Sequence, residues 1–314
     1  MMRIRGLHEG QAFDGGEEFL DRPGARWIDV QQPDEATLGR LAERFGLHRL
    51  AIEDCLHLDQ RPKLEEFPGH LFIVLQAFSC TDKSLADVTL HELHFFLGPD
   101  WLITVHERSH RAIDQVHKRL DADPSQTLGR GVDFVAYLLA DAQVDLGFPL
   151  MDHFTEALDE LEDSIFQQQA HKPMERIFAL KRQLVLVRKV LSPQREVLTT
   201  LARRGLPGVS ERTTLYFRDV CDHLVRILEQ VDTNRELVAN VREAWLSVVA
   251  NRTNDITRQL TVLASIFLPL SFIAGFFGQN FDALSRPPFF VVMLASMVLV
   301  PAGMVAWFQR KGWF

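Results

Sequence analysis

Between Val209 and Leu268 the chain runs sixty residues without a Gly or a Pro, so nothing in the stretch is built to end a helix. Apolar residues recur through it at Val220, Leu224, Ile227, Val231, Val238, Val241, Trp245 and Val248, in steps of four and three. Only Asn234 breaks the seam, and the spacing is that of heptads. A helix from about Arg212 to Phe277 is on the order of 100 Å long at 1.5 Å per residue, far more than a globular domain needs. Charge then disappears: no Asp, Glu, Lys or Arg occurs from Gln259 to Phe281, or again from Pro287 to Gln309. The apolar blocks inside these runs, Leu260–Gly278 and Phe289–Phe308, hold nineteen and twenty residues. Each suffices to cross about 30 Å of hydrocarbon. The long helix is therefore expected to pass unbroken from the cytoplasm into a membrane, with a second span returning.

Aromatic residues stand where interfacial belts would lie, Phe276, Phe277 and Phe281 at one end and Trp307, Phe308, Trp313 and Phe314 at the other. Arg252, Arg258, Arg310 and Lys311 flank the ends that the positive-inside bias would place in the cytoplasm. Both termini are then expected inside, with the connecting loop 279–288 outside. Met1–Gly10 has no apolar stretch of signal-peptide length, so no cleaved export signal is expected.

The formal charge of −8 is uneven. From Arg258 onward the charges are Arg258, Asp282, Arg286, Arg310 and Lys311, a sum of +3, which leaves −11 on residues 1–257. An acidic surface disfavours nucleic acid as a partner and is compatible either with solubility or with gathering cations. Cys55, Cys80 and Cys221 are too scattered for a disulfide framework or a thiolate zinc knuckle. No nucleophile and base arrangement, P-loop or dinucleotide fingerprint is present, so an enzyme is not expected.

Ahead of the long helix the texture is mixed. Trp27–Val30, Leu71–Phe78, His91–Leu97 and Trp101–Val105 read as strands, with Gly98-Pro99-Asp100 as a turn. Asp34–Phe45 reads as a helix, Asp34 near its start and Gly46 at its end. From about Asp133 the pattern is helical, first with an acidic face of Asp152, Glu156, Asp159, Glu160, Glu162 and Asp163, then through Met174–Arg204 with Pro173 at its start. These two stretches are expected to form an antiparallel pair, the acidic face being an ordinary solvated surface or a cation-binding one. The fold class is thus an α+β cytoplasmic domain followed by a very long helix entering the membrane. Its segments are 1–130 (α/β domain), 131–210 (antiparallel helices), 211–258 (stalk), 259–278 (first span), 279–288 (outer loop), 289–308 (second span) and 309–314 (basic tail).

The first span carries a stripe. Asn254, Thr257, Thr261, Ser265, Leu268, Ser271 and Gly275 follow at steps of three or four and, Leu268 apart, are polar or small. Such a stripe faces either another helix, as a packing seam, or water. Two helices cannot enclose a water-filled path, so conduction requires several copies around an axis, with the heptad helix as the means of assembly. At the outer end stands Gly275-Phe-Phe-Gly-Gln-Asn-Phe281, where Gly278 allows a turn and Gln279 and Asn280 offer neutral amide oxygens. Such oxygens suit a cation that keeps its water, as Mg²⁺ does.

Asn251-Arg-Thr-Asn254, Leu260-Thr-Val-Leu-Ala-Ser-Ile-Phe-Leu-Pro-Leu-Ser-Phe-Ile-Ala-Gly275 and Gly278-Gln-Asn-Phe281 closely resemble the pore helix of the CorA family of divalent-cation channels. The tail Trp307–Trp313 is similar to that family's basic, Trp-containing end, and the likeness extends through Tyr216–His223, Gln60–Phe67 and Leu71–Leu75. The resemblance implies a funnel-shaped homopentamer in a lipid bilayer, with the first span lining the pore. It implies Asn280 as the outer selectivity ring shaped by Gly278, Asn254 as an inner polar ring, and Leu260 and Leu268 as apolar constrictions. Asp219 and His223, one turn apart, match positions near the family's intersubunit metal-sensing sites. Asp87 and Glu92 are candidates for a partner carboxylate. No covalent cofactor is implied, only Mg²⁺ or another divalent cation as cargo and regulator.

The chain departs from the family's Gly-Met-Asn signature at Gln279, and Asp282-Ala-Leu-Ser-Arg-Pro-Pro288 replaces the acidic Met-Pro-Glu-Leu loop. A near-neutral mouth concentrates divalent cations less. The resemblance leaves three functions: Mg²⁺ transport with Co²⁺ and Ni²⁺ as companions, gated by cytoplasmic metal; proton-coupled Zn²⁺ uptake of the ZntB type, whose signature is Gly-Ile-Asn; and a non-conducting membrane-anchored scaffold or sensor.

Overall fold

The computed structural model describes residues 1–57, 59–80, 88–167, 171–279 and 287–313, which form two compact units, Met1–Arg242 and Glu243–Phe314. In the first, seven strands make one mixed sheet: β1 (Met2–His8), β2 (Gln11–Gly15), β3 (Ala25–Gln31), β4 (Lys63–Phe67), β5 (His70–Cys80), β6 (Val88–Leu97) and β7 (Trp101–His106). Their order is β2-β1-β3-β7-β6-β5-β4. Among the described residues only β3 and β7 run parallel, with Ile28 opposite Ile103; every other neighbouring pair is antiparallel. The four expected strands are present. β1, β2 and β4 were not expected, because they lie at or near the sheet edges and alternate charged with apolar residues.

Strand pleat gives the sheet two apolar faces. Ile4, Ile28, Val30, Phe72, Val74, Phe96, Ile103 and Val105 share one buried cluster with Leu38 and Leu41 of α1 (Glu35–Phe45) and Ala51 and Cys55 of α2 (Arg49–Leu56). α1 starts as the sequence requires: Asp34 Oδ1 accepts from Thr37 N at 2.7 Å, and Gly46 ends it in the left-handed conformation, φ 66°. The opposite face carries Trp27, Asp29 and Thr104. There His117 of α3 (Arg111–Ala122) stacks on Trp27 at 4.2 Å.

The helical region divides differently from expectation. Its first part is two helices, α4 (Val132–Asp145) and α5 (Gly147–Phe166), followed by α6 (Pro173–Leu201). α4 is apolar nearly all round and buried from Val132 to Tyr137 and beyond, as a helix lying against a sheet must be. By length and hydropathy alone Val132–Phe166 could cross a membrane, but 61% of its most apolar 18-residue stretch is buried inside the protein. The acidic residues of α5 lie on its exposed side, opposite Leu150, Phe154, Leu158 and Leu161.

The long helix, α7 (Glu211–Phe277), spans 67 residues without a break. Much of its heptad seam packs inside the chain, while Trp245 and Val248 at its end are half-buried. Val220, Leu224, Ile227, Val231, Val238 and Val241 are buried within this one chain. Asn234, the polar break, is 2% exposed, and its Oδ1 accepts from Thr155 Oγ1 of α5 at 3.2 Å. Arg188 of α6 binds Asp232 at 2.8 Å. At Gly147 a Cβ would stand 2.9 Å from Ile227 Cδ1, so glycine lets α5 begin hard against α7. From Val220 to Val241 the seam is covered by the chain's own helices.

In the second unit the end of α7 is joined by α8 (Pro287–Arg310). The most apolar windows of the two helices are 6% and 0% buried, leaving Leu260, Leu263, Phe267, Phe272, Val291, Val298 and Leu299 open. Such surface is incompatible with water at this extent and suits hydrocarbon. Phe308 departs from the expected belt: it is 3% exposed. Gly312, at φ 69°, ends α8 by turning Trp313 back onto Phe308, ring centres 5.4 Å apart.

Candidate functional site

Two groups of residues bear on function, one in each unit. In the membrane-type unit the covered edge of α7 consists of buried Val262 and half-buried Ile266, Pro269, Leu270, Ile273 and Phe277. Asn254, Thr257, Leu260, Thr261, Leu268, Ser271 and Gly275 are exposed; at 100° per residue their stripe is centred roughly 165° away from that edge. α8 has a matching edge of half-buried Met293, Ser296, Met297, Val300 and Met304 and buried Phe308. The stripe is therefore not the seam of this helix pair. Ser265 stands at the boundary, half-buried.

Hydrogen bonding along the stripe is partly internal to the helix. Thr261 Oγ1 donates to Thr257 O at 2.8 Å, so that hydroxyl costs little without water. Pro269 has no N–H, which leaves the Ser265 carbonyl without its usual donor. At the outer end Gly278 N donates to Ala274 O at 2.9 Å and Gln279 N to Phe276 O at 3.3 Å, closing the helix. Gly278 is not in the left-handed region. A Cβ there would instead stand 3.0 Å from the Ala274 carbonyl oxygen. Gln279 is exposed; Asn280, expected as the selectivity ring, lies outside the described residues.

The second group is in the sheet-containing unit, where α4 meets α7. His223 Nδ1 lies 3.1 Å from Asp145 Oδ1, and its Nε2 lies 4.0 Å from Asp219 Oδ2. Asp141, one turn before Asp145, joins them: ligand atoms of Asp141, Asp145 and His223 all lie within 4.8 Å of one another. Two carboxylates and an imidazole at that spacing can share one divalent cation with small side-chain adjustments. Burial raises the Asp141 carboxyl above its ordinary range, and the Asp145 charge raises it further. Tyr137 is pushed up to about 12 by burial and then by Asp141 and Asp219. Negative charge is crowded here, the condition a bound cation relieves.

The expected pair, Asp219 and His223, is thus brought together, and α4 adds Asp141 and Asp145, which sequence reading missed. Their signal was an i, i+4 carboxylate pair at the end of an otherwise apolar helix. Glu92 is engaged elsewhere: its Oε1 accepts from Asp59 N at 2.8 Å and Gln60 N at 2.9 Å, and its Oε2 lies 3.1 Å from His94 Nε2. Asp87 lies outside the described residues.

Residues 23–310 match the family model described as CorA-like Mg²⁺ transporter protein. The chain belongs to the CorA family. This CorA-family chain is 34% identical to the cobalt/magnesium transport protein CorA of Thermotoga maritima over 299 residues, 94% of the chain and 85% of that protein. It is 24% identical to the zinc transport protein ZntB of Yersinia pseudotuberculosis over 262 residues, 81% of the chain and 77% of that protein. The complete structure of the CorA magnesium transporter from Methanocaldococcus jannaschii matches with a TM-score of 0.88 at 24% identity, covering 100% of this chain and 99% of that one. That likeness establishes the α+β domain, long helix and C-terminal helix as the CorA fold. Family membership makes the chain a membrane transport protein with C-terminal transmembrane helices, and not an enzyme.

Proposed function

We propose that this CorA-family chain forms a homopentameric channel in the cytoplasmic membrane, both termini inside, and conducts Mg²⁺, with Co²⁺ and Ni²⁺ as companions. The observation that carries the reading is the polar stripe of α7, left open on the side away from the edge that packs. Five copies give rings of Asn254, Thr257, Thr261 and Ser271, with Leu260 and Leu268 as apolar constrictions that close by dewetting. Gly278, Gln279 and Asn280 form the outer entrance, where amide oxygens meet a hydrated cation. An inside-negative potential favours divalent entry by about 4.6 kcal/mol per 100 mV, twice the single-charge value. Proteoliposome uptake of Mg²⁺ by the native chain and by Asn280→Ala tests this; equal flux in both removes Asn280 from the mechanism.

Gating by cytoplasmic metal is part of the reading. A divalent cation bound among Asp141, Asp145, Asp219 and His223 neutralises repulsion between α4 and α7 and stabilises the closed state; when internal concentration falls, the site empties and that state loses its advantage.

A second reading, proton-coupled Zn²⁺ uptake, is favoured by the ZntB likeness and by Gln279 in place of the family methionine. Collapsing the proton gradient separates the two: Zn²⁺ flux that stops with the gradient supports this second reading, and flux that follows the membrane potential alone supports the first.

A further inference from the structure

Within the sheet-containing unit, α5 and α6 present unlike outer faces. α5 carries six Asp or Glu and no Lys or Arg. Asp152, Glu156, Asp159 and Asp163 are all exposed and follow at steps of four, three and four, which puts them within about 60° of one another around the helix. α6 carries six Lys or Arg against two Glu. Its exposed Phe178, Arg182, Val185 and Lys189 repeat the same steps over the same arc, with Lys181 beside them; Glu175 and Glu196 stand beyond the two ends. The two stripes are equal in length, roughly 16 Å at 1.5 Å per residue.

Neither stripe is matched inside the chain. Arg188, at the margin of the basic one, is held by Asp232 at 2.8 Å. Lys181, Arg182, Lys189 and the four carboxylates of α5 make no ion pair among the described residues. Phe178 and Val185 are 56% and 46% exposed, so apolar surface lies in the middle of the basic stripe, where water does not favour it. Opposite charge at equal spacing on two faces of one chain fits a second copy: α5 against α5, or α6 against α6, sets like charges together, whereas α5 against α6 pairs them and covers Phe178 and Val185. A contact of that kind uses one face of each copy and leaves its complement for the next, so repetition closes a ring.

We infer that the acidic stripe of α5 in one copy docks on the basic, apolar-centred stripe of α6 in the neighbouring copy. The interface rests on the pentamer proposed above and adds to it a contact outside the membrane-type unit.

Carbodiimide treatment of the full chain in detergent, which joins an amine to a carboxylate only where the two touch, tests this together with the native mass. Peptides linking Lys181 or Lys189 to residues 152–163 are expected in the denatured two-chain band and not in the one-chain band. Glu156→Lys with Asp159→Lys, at exposed positions, should abolish these links. Adding Arg182→Glu with Lys189→Glu should restore linkage with the amine now on α5, which a loss of folding would not allow. The same links in the one-chain band, or their persistence after reversal of α5 alone, overturn the interface. A native mass of one copy fails the pentamer and the interface together; a five-copy mass without the α5–α6 link, as when each stripe meets only dissolved ions, fails the interface alone.

Discussion

His223 Nδ1 stands 3.1 Å from Asp145 Oδ1, and through that contact the long helix α7 meets the buried helix α4. Phe148 closes on the same imidazole from α5, ring centres 5.9 Å apart, which limits its rotamers. The position of α7 against the sheet-containing unit is thus tied to the charge at one small cluster. Asp145→Asn or His223→Ala should raise the internal Mg²⁺ or Co²⁺ concentration that half-inhibits flux by about tenfold, the typical size of a coupling energy. Inhibition curves in proteoliposomes check this, and superimposable curves remove the cluster from gating.

Asp141 supplies a pH test of the same cluster. Its folded pKa is raised, first by burial and then by Asp145. A carboxyl raised in this way contributes stability below its unfolded value, near 3.8, and loses it as pH rises through the folded value. At neutral pH the ionised pair therefore strains the metal-free protein. Asp141→Asn should raise the unfolding temperature in EDTA at pH 7 and abolish most of the further rise on adding Mg²⁺. Thermal unfolding of the full chain in detergent measures both.

Leu268 is 73% exposed on the stripe. If it closes an apolar ring by dewetting, Leu268→Ser should increase Mg²⁺ flux severalfold and reduce its inhibition by internal Mg²⁺. Unaltered flux and inhibition would place the constriction elsewhere.

Asp29 lies at the centre of a buried network beneath α3: its Oδ1 accepts from Thr104 Oγ1 at 2.6 Å and lies 3.2 Å from His106 Nε2, and its Oδ2 lies 3.5 Å from His117 Nε2. Burial alone would raise the Asp29 carboxyl, but the hydrogen bonds from both histidines outweigh it and hold it far below its ordinary range. Burial would lower His106, but the bond and charge of Asp29 raise it. Asp29 therefore stabilises above about 3.8 and loses this as pH falls, while His106 stabilises below about 6.5 and loses this as pH rises through its raised folded value. Stability should peak between these limits. Asp29→Asn should flatten the profile and cost about 3 kcal/mol, on the order of 10 °C for a unit of this size.

Ile227 separates two accounts of the heptads. It is 1% exposed and faces Gly147 within the chain. Ile227→Ala should cost about 2–4 kcal/mol of stability without changing the number of copies in the native assembly. Native mass spectrometry that showed dissociation without destabilisation would restore the seam to a role between subunits.

The sequence by itself determined the long helix, the two apolar spans, the α1 caps and the strands Trp27–Val30 and Trp101–Val105, because each follows from periodicity or local backbone chemistry within a few residues. It also determined the polar stripe, whose spacing is a property of one helix. Only the tertiary structure decided what each face meets. The heptads of α7 from Val220 to Val241 are buried within the chain, since an apolar seam is blind to whether its partner comes from the same chain. Asp141 and Asp145 joined His223 only through a contact between residues 78 apart in sequence, Asp145 and His223. Arg5, in β1, is buried against Asp121 and donates to the His117 carbonyl at 2.8 Å. Charge pairing across such separations leaves no local pattern, so it becomes visible only when the sheet and its helices have closed.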